Sequence, residues 1–253
     1  MPIRFKVYED VHLRNAPLRE VICQIRFHSI LRIANEDPVS FQEAIRDHFP
    51  EIQIEHPLLV GPLGIEAVRA EPRPRLFRFR DLDANYSVAL APDFLALVSN
   101  RYSKWNEFSD HLSFVFDAFQ DIYRIQHATR IGLRYINTLG FQNTGTTALT
   151  ELISVLRNEI VGLFRIPEIE EPYVVKQEIR TRVDTDGDFT LRVGLTEEKR
   201  EEITLDFDRY IDEEVRVDDL LERCQRYHRD LYNAFRWAIA DEKIRIFEGE
   251  NDG

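Results

Sequence analysis

The sequence predicts an α+β protein made of tandem duplicated β-α-β(3–4)-α units, with an antiparallel sheet covered on one face by long helices. Three observations lead to this fold class: apolar residues alternate in strand-like segments, turn signals separate several short strands, and each half ends in a long amphipathic helix. The first repeat half is expected at residues 1–125, and the second, which includes an acidic C-terminal tail, at residues 126–253. We expect the halves to pack as one unit.

Short matches between the two halves occur in the same order along the chain. Ile25-Arg26-Phe27 aligns with Leu133-Arg134-Tyr135, and the same spacing carries a short helix candidate at residues 38–49 onto residues 146–157. Identity between the halves is weak, but the order of their elements is retained. An internal duplication therefore accounts for both halves.

In the first half, strand 20–29 places alternate apolar side chains on one face, beginning with Val21 and Cys23. Asp37 and Pro38 predict the N-cap and first turn of the short helix. Further strands are expected near residues 65–70, 76–80, 86–90 and 95–99. Ser103 then caps a helix to about Arg124 whose apolar stripe comprises Trp105, Phe108, Leu112, Val115, Phe116, Phe119 and Ile122.

In the second half, strand 129–138 and a helix at 146–157 precede strands near residues 173–183, 189–196 and 202–210. Asp186-Gly187 predicts a type I′ hairpin turn between two of these strands. The final helix, at about 217–240, directs an apolar set inward: Leu220, Leu221, Cys224, Leu231, Phe235 and Ile239. This order of elements is similar to the helix-grip and TATA-binding-protein-like class, in which two such halves form one continuous sheet.

The charge balance restricts the kinds of partner. The formal net charge is −12, with 45 acidic and 33 basic side chains, and such a chain repels nucleic-acid phosphates and anionic membranes at long range. The N-terminal residues lack the apolar core of a secretory signal, and the longest apolar run, near Phe94 to Val98, is too short to span a bilayer. Cys23 and Cys224 are interpreted as buried thiols, with a disulfide as the alternative. We expect a cytoplasmic protein.

A charged sheet face is the main candidate site. Alternation places Arg134 on the face opposite Leu133 and Tyr135, and groups Lys176, Glu178, Arg180 and Arg182 in the same way. One interpretation is a set of cross-strand ion pairs on a solvated surface. The other is a surface that binds an anion or a partner, since the planar guanidinium suits carboxylate and phosphate. The candidate binding residues are Arg26, Arg134, Asn137, Arg180, Arg182 and Arg192.

Catalytic chemistry has little support in the sequence. Asp206 and Asp208 put two carboxylates on one strand face, which is the weak signal for a divalent metal that handles phosphoryl groups. No other cofactor is expected, because metal-binding histidine spacings, phosphate-binding glycine loops and nucleophile motifs are absent from the sequence. Cys23 lies among apolar residues, a poor setting for a reactive thiolate.

The chain resembles a sporadically distributed family of uncharacterised bacterial proteins of about this length. The resemblance covers residues 15–240 and rests on three motifs: a Pro-Leu-x-Glu-Val strand from Pro17, a Tyr-x-x-Trp helix start from Tyr102, and the central strand Arg-x-Gly-Leu-Arg-Tyr-x-Asn from Arg130 to Asn137. The family has no activity that transfers to this chain. Its patchy occurrence implies genes at mobile or defence-related loci.

These observations favour a non-enzymatic binding or regulatory protein that presents its charged sheet face to a protein partner. We expect it to be an accessory component of a bacterial defence or toxin-linked system. Two alternatives remain open: a sensor of a small phosphorylated ligand that uses the arginines, and a metal-dependent phosphoryl-handling enzyme centred on Asp206 and Asp208. Nucleic-acid binding is disfavoured by charge. We also expect Arg26 and Arg134 to approach one another near the axis that relates the two halves.

Overall fold

The computed structural model of the protein describes residues 6–9, 11, 13, 15–55, 75–165, 174–183, 186–196 and 199–248. Within these residues the fold is α+β, with a large antiparallel sheet and several helices, as the sequence predicts. Two compact units are formed from segments that interleave along the chain. Unit 1 comprises Met1–Val21, Leu133–Ile211 and Cys224–Gly253, and unit 2 comprises Ile22–Gly132 and Asp212–Arg223.

The elements of the first half agree with the predicted order. They are β1 (Leu18–Arg26), α1 (Leu31–Asn35), α2 (Val39–Ile45), β2 (Glu51–Glu55), β3 (Leu76–Arg80), β4 (Tyr86–Ala91), β5 (Phe94–Ser99) and α3 (Trp105–Tyr123). The sequence prediction included neither α1 nor β2. The strand expected at residues 65–70 lies outside the described residues.

The second half contains the elements that build the candidate site. They are β6 (His127–Ala128), β7 (Arg130–Gly140), α4 (Phe141–Thr144), α5 (Leu149–Ser154), β8 (Val175–Arg182), β9 (Asp188–Thr196), β10 (Lys199–Ile211), β11 (Val215–Arg216), α6 (Leu220–Ala238) and α7 (Arg245–Glu248), with short 3-10 turns at Gly162–Arg165 and Asp241–Lys243. The predicted helix at 146–157 is therefore the shorter α5.

In unit 2 the strands lie in the order β2-β3-β4-β5, followed by the part of β1 from Ile22 onward. The aromatic side chains of α2, α3 and the sheet form its core. Phe119 of α3 lies against Phe27 with ring centroids 5.1 Å apart, and Phe41 of α2 meets Phe79 of β3 edge to face at 5.6 Å. All four rings are buried, because the apolar stripe of α3 faces the sheet as predicted.

Both predicted helix caps of unit 2 are wrong in detail. Helix α2 starts after Pro38, which occupies the N-cap position, and the Asp37 carboxylate instead pairs with Arg75. Lys104 occupies the N-cap position of α3 without a side-chain cap, while the Ser103 hydroxyl donates to Glu107. Each predicted cap residue therefore lies one position before the observed N-cap and bonds to a charged side chain.

In unit 1 the strand order is β7-β10-β9-β8, counting β7 from Leu133. Strand β10 pairs with β9 along most of its length, with a register shift between Lys199 and Thr204. Helix α6 belongs to unit 1 from Cys224 onward and buries Cys224, Tyr227, Leu231 and Phe235 there; its first residue, Leu220, is assigned to unit 2 and is also buried. Leu221, which the sequence analysis placed inward, is 39% exposed because it lies beside the buried stripe rather than within it.

Strands β8 and β9 form a hairpin, as predicted, but the turn that connects them is not the two-residue type I′ turn expected at Asp186-Gly187. Arg182 lies opposite Asp188, the Val183 amide donates to the Gly187 carbonyl at 2.9 Å, and the Asp186 amide donates to the Val183 carbonyl at 3.3 Å. Gly187 has a φ of +99°, whereas Asp186 does not enter the positive-φ region that a type I′ turn requires at both positions. The connection is therefore longer than two residues.

Cys23 and Cys224 are both buried and neither forms a disulfide, in line with the favoured interpretation. Among the helices in the described part of the chain, none is long and apolar enough to cross a membrane.

Candidate functional site

The strand register of unit 1 gathers the predicted arginines on one face of its sheet. Glu178 of β8 lies opposite Arg192 of β9, and Arg192 lies opposite Asp206 of β10. One step further along the same face, Arg180 lies opposite Thr190, and Thr190 lies opposite Asp208. We call this surface the arginine face and define it by its cationic members Arg134, Lys176, Arg180, Arg182 and Arg192.

A row of alternating charges crosses the arginine face. The Arg134 guanidinium donates to both oxygens of Asp206, from Nε and from a terminal nitrogen, each at 2.7 Å. Arg192 donates to the same carboxylate at 3.3 Å and to Glu178 at 2.7 Å. The sequence analysis anticipated cross-strand ion pairs of this kind, and they are worth about 0.2–1 kcal/mol each at exposed positions.

The pKa values of these arginines rise above the ordinary range. For Arg134, the hydrogen bond to Asp206 raises the pKa more strongly than burial lowers it. For Arg192, burial lowers the pKa, but the hydrogen bond to Glu178 and the charge of Asp206 together outweigh it. Both guanidiniums therefore stay cationic at physiological pH.

On the arginine face, the arginine side chains are more exposed than the aspartate side chains that they contact. The arginine side chains are exposed to extents between 40% at Arg134 and Arg192 and 72% at Arg182. The carboxylates beneath them are covered: 7% of the Asp206 side chain and 20% of the Asp188 side chain remain exposed. Glu178 is the exposed carboxylate of the row. The exposed part of this face is thus predominantly cationic, on a chain whose net charge is −12.

Arg180 and Arg182 meet at the hairpin end of the arginine face. Both contact the Asp188 carboxylate, at 2.8 Å from Arg180 and 3.8 Å from Arg182. The Arg180 guanidinium also lies over the Tyr210 ring, 5.4 Å from its centroid. Such a cation–π contact orients the guanidinium without neutralising it.

Two predicted site residues lie elsewhere. Asn137 is buried on the apolar side of β7, where its amide donates to the Leu205 carbonyl at 3.4 Å, so its contact ties β7 to β10. Arg26 is an exposed residue of unit 2 and donates to Gln24 at 3.3 Å. The expected approach of Arg26 to Arg134 stays a prediction.

The predicted metal pair shares the arginine face. Asp206 and Asp208 are both buried, and the Asp206 oxygens already accept hydrogen bonds from two guanidiniums. A metal ion there would have to displace these cations, because the same lone pairs would serve both. The described residues contain no cluster of three or more His, Cys, Asp or Glu side chains able to hold a metal ion.

Sequence reasoning missed a buried arginine on the opposite side of β10. Arg209 is 2% exposed, donates to Asp230 of α6 at 2.9 Å, and donates to the Asp186 carbonyl at 2.8 Å. Its guanidinium also lies over the Tyr227 ring, 4.5 Å from the centroid. An arginine at an inward strand position was the available signal, since such a group requires several acceptors. Arg209 joins the hairpin to α6 and has a structural role.

A second missed cluster lies in unit 2, beneath α3. The Tyr86 ring stacks on His111 with centroids 4.3 Å apart, and both the Tyr86 and Ser99 hydroxyls are buried without a hydrogen-bond partner in the described structure. Burial, with a further contribution from Glu107, raises the pKa of Tyr86 to about 12. Burial, and then the charge of His48, lowers the pKa of His111. Both groups are uncharged near neutral pH.

Comparison with known proteins does not assign this surface: no protein-family model matches the chain, and no curated protein matches it.

Proposed function

We propose that the protein is a non-enzymatic binding or regulatory protein that uses the arginine face to hold an acidic surface of a protein partner. The observation that carries this proposal is the separation of charge by depth: the Arg134 guanidinium is 40% exposed over the buried Asp206, and Arg180 and Arg182 lie over Asp188, of which 20% is exposed. A covered carboxylate fixes the guanidinium above it in place, so little side-chain entropy is lost when a partner binds. Arginines are also enriched at the energetic centres of protein interfaces.

The alternatives have weaker support. A small phosphorylated ligand needs several donors that converge on one anion, whereas Arg134 and Arg192 direct nitrogens at Asp206. A metal-dependent phosphoryl-handling enzyme needs open carboxylates, and those of Asp206 are engaged. Arg180 and Arg182, which share Asp188, are the part of the face best suited to a phosphate, so a phosphorylated ligand is the second candidate.

The proposed ancestry is an internal duplication in the TATA-binding-protein-like manner. In the first half β1 neighbours β5, and the remaining strands follow in the descending order β4, β3, β2. In the second half β7 neighbours β10, followed by β9 and β8. In both halves the first long strand lies beside the last one, and the other strands follow in reverse sequence order. This shared order supports a boundary between residues 1–125 and 126–253.

The proposed setting is the bacterial cytoplasm, in a defence or toxin-linked system. Its support is the resemblance to a sporadically distributed bacterial family, carried by the strand from Arg130 to Asn137. A partner from such a system would be encoded beside this gene, and co-expression with each neighbour tests for a stoichiometric complex.

The test of the proposed function compares two charge reversals. Arg182 and Arg216 are similarly exposed, at 72% and 67%, and each contacts an aspartate, but Arg216 lies on β11 in unit 2 and is not a member of the arginine face. Affinity capture from the native host, quantified by mass spectrometry, should recover a stoichiometric partner with the wild type and with Arg216→Glu, and at least about tenfold less with Arg182→Glu. Equal recovery with both variants would remove the arginine face from consideration.

A further inference from the structure

Strand β8 has an open edge. It is the last strand in the order β7-β10-β9-β8, and within the described part of the chain its strand neighbour is β9 alone. Its central residues are exposed on both faces of the sheet. An exposed strand edge presents unpaired backbone groups that another strand can bind.

The hairpin contact identifies which backbone groups point outward. Val183 and Gly187 form a hydrogen-bonded pair, with the Val183 amide 2.9 Å from the Gly187 carbonyl oxygen. In an antiparallel ladder, hydrogen-bonded and non-hydrogen-bonded pairs alternate. Arg182 lies opposite Asp188 and therefore belongs to a non-hydrogen-bonded pair. By the same alternation, Lys176, Glu178 and Arg180 belong to non-hydrogen-bonded pairs. The amides and carbonyls directed away from β9 are those of Lys176, Glu178, Arg180 and Arg182.

The two faces beside this edge differ in chemistry. On one side lies the arginine face. On the other, Ile179 of β8 lies opposite Leu191 of β9, which lies opposite Phe207 of β10. Leu191 and Phe207 are buried, but Ile179 is 55% exposed, so the apolar row ends in an uncovered side chain at the edge. One additional strand would cover it.

We propose that the partner adds an extended segment to the open edge of β8, with acidic side chains on the arginine face and apolar side chains beside Ile179. This proposal rests on the proposed function and specifies the form of its partner. Strand addition supplies affinity through backbone hydrogen bonds and specificity through alternate side chains. The charges along β8 favour acidic residues at every second position of the partner segment. On the arginine face this strand carries three cations, Lys176, Arg180 and Arg182, and one anion, Glu178.

The direct test uses a defined peptide and the folded full chain. An eight-residue peptide of alternating Glu and Val, acetylated and amidated, is titrated while backbone amide exchange is followed by NMR. Addition to β8 slows exchange at the outward amides of residues 176 and 178, by at least about tenfold at saturation, because each donates to a backbone carbonyl of the peptide. The inward amides of 177, 179 and 181 are protected beforehand by β9 and change little.

A matched pair of variants separates backbone pairing from charge. Arg180→Ala and Arg180→Pro remove the same guanidinium, but only proline also removes the outward amide, and proline is tolerated where the amide faces away from the ladder. Peptide affinity should be about tenfold weaker in Arg180→Pro than in Arg180→Ala, which corresponds to one lost hydrogen bond. A lysine–valine peptide should bind at least about tenfold more weakly than the glutamate peptide to the wild type.

The outcomes are distinguishable. If the peptide does not bind up to millimolar concentration, or binds without slowing the outward amides, strand addition is wrong. If Arg182→Glu abolishes capture of the native partner while Arg180→Pro and Arg180→Ala bind it equally, the proposed function survives and strand addition does not. If the outward amides become protected on concentrating the protein alone, together with dimerisation, the edge pairs two copies of this chain and the acidic partner is excluded.

Discussion

Arg134 holds Asp206 in a two-point pair across β7 and β10, with both hydrogen bonds at 2.7 Å. The carboxylate is almost completely buried, whereas the guanidinium remains 40% exposed. The pair therefore has two consequences that can be measured separately: the stability of a buried carboxylate, and the fixed orientation of an exposed cation.

Arg134→Ala should lower the free energy of unfolding by about 1–3 kcal/mol. The substitution removes one of the two guanidiniums that donate to the buried Asp206, and Arg192, at 3.3 Å, is the one that remains. Arg182→Ala is the matched control, since its guanidinium is 3.8 Å from Asp188 and mostly exposed, and it should change stability by less than about 0.5 kcal/mol. Urea denaturation at pH 7 measures both. Equal effects would show that Asp206 does not depend on Arg134.

Gly187→Ala should be more destabilising than Gly145→Ala, although both glycines have a positive φ, of +99° and +68°. A Cβ at Gly187 would lie 2.2 Å from the Tyr210 carbonyl oxygen, whereas one at Gly145 would meet no atom within 4 Å. The cost at Gly145 is backbone strain of about 1–2 kcal/mol. Gly187 should add about 1–3 kcal/mol for the clash. Chemical denaturation of the two variants compares them, and similar values would contradict the close approach.

Tyr86→Phe should make the protein less sensitive to alkaline pH. The pKa of Tyr86 is 10.0 in the unfolded reference and about 12 in the fold, because burial disfavours the phenolate. The unfolded chain therefore loses this proton first, and the corresponding stability is present below pH 10 and lost as the pH rises toward about 12.

The readout is the difference in unfolding free energy between Tyr86→Phe and the wild type at pH 9 and at pH 11. The unfolding free energy of Tyr86→Phe minus that of the wild type should be larger at pH 11 than at pH 9. At pH 7 it should match the wild type or exceed it by up to about 1 kcal/mol, because the buried hydroxyl that it removes lacks a hydrogen bond. A pH-independent difference would show that Tyr86 ionises normally.

Phe119→Ala should cost about 3–5 kcal/mol, because the ring is completely buried and packs against Phe27 and Tyr123 at centroid distances of 5.1 and 4.9 Å. Leu82→Ala removes an apolar side chain that is 79% exposed and should have little effect. Thermal and urea unfolding measure both variants. A loss below about 1 kcal/mol for Phe119→Ala would mean that α3 does not organise the core of unit 2.

Much of the fold could be predicted because burial leaves a periodic signal in the sequence. The stripe of α3 recurs at helical spacing, and the alternation of β7 separates Leu133 from Arg134. Strand β2 carries a short version of this signal, because Ile52 and Ile54 alternate with polar residues between Glu51 and Glu55, but the prediction omitted it. Both isoleucines are substantially exposed in the structure, so burial of an apolar face does not explain why this segment is a strand.

The contacts of the candidate site depended on information that the sequence does not carry locally. Alternation placed Arg134 and Asp206 on charged faces, but their pairing depends on the register of β10, which shifts between Lys199 and Thr204. Arg209 sits at an inward position because Asp230 of α6 and the hairpin carbonyls satisfy it. These partners become neighbours only through tertiary structure.

The interleaving of the units has a consequence for the order of folding. In unit 1 the Tyr8 amide donates to Asn233 at 3.0 Å, and the Asn15 amide donates to the Phe247 carbonyl at 3.2 Å, so residues separated by 225 positions must meet. A ribosome releases the N-terminal segment long before α6 exists. Unit 1 can therefore be completed only after synthesis of that helix, and contacts between such distant residues slow folding. Until then the strands of the nascent chain expose unpaired edges, which favour aggregation.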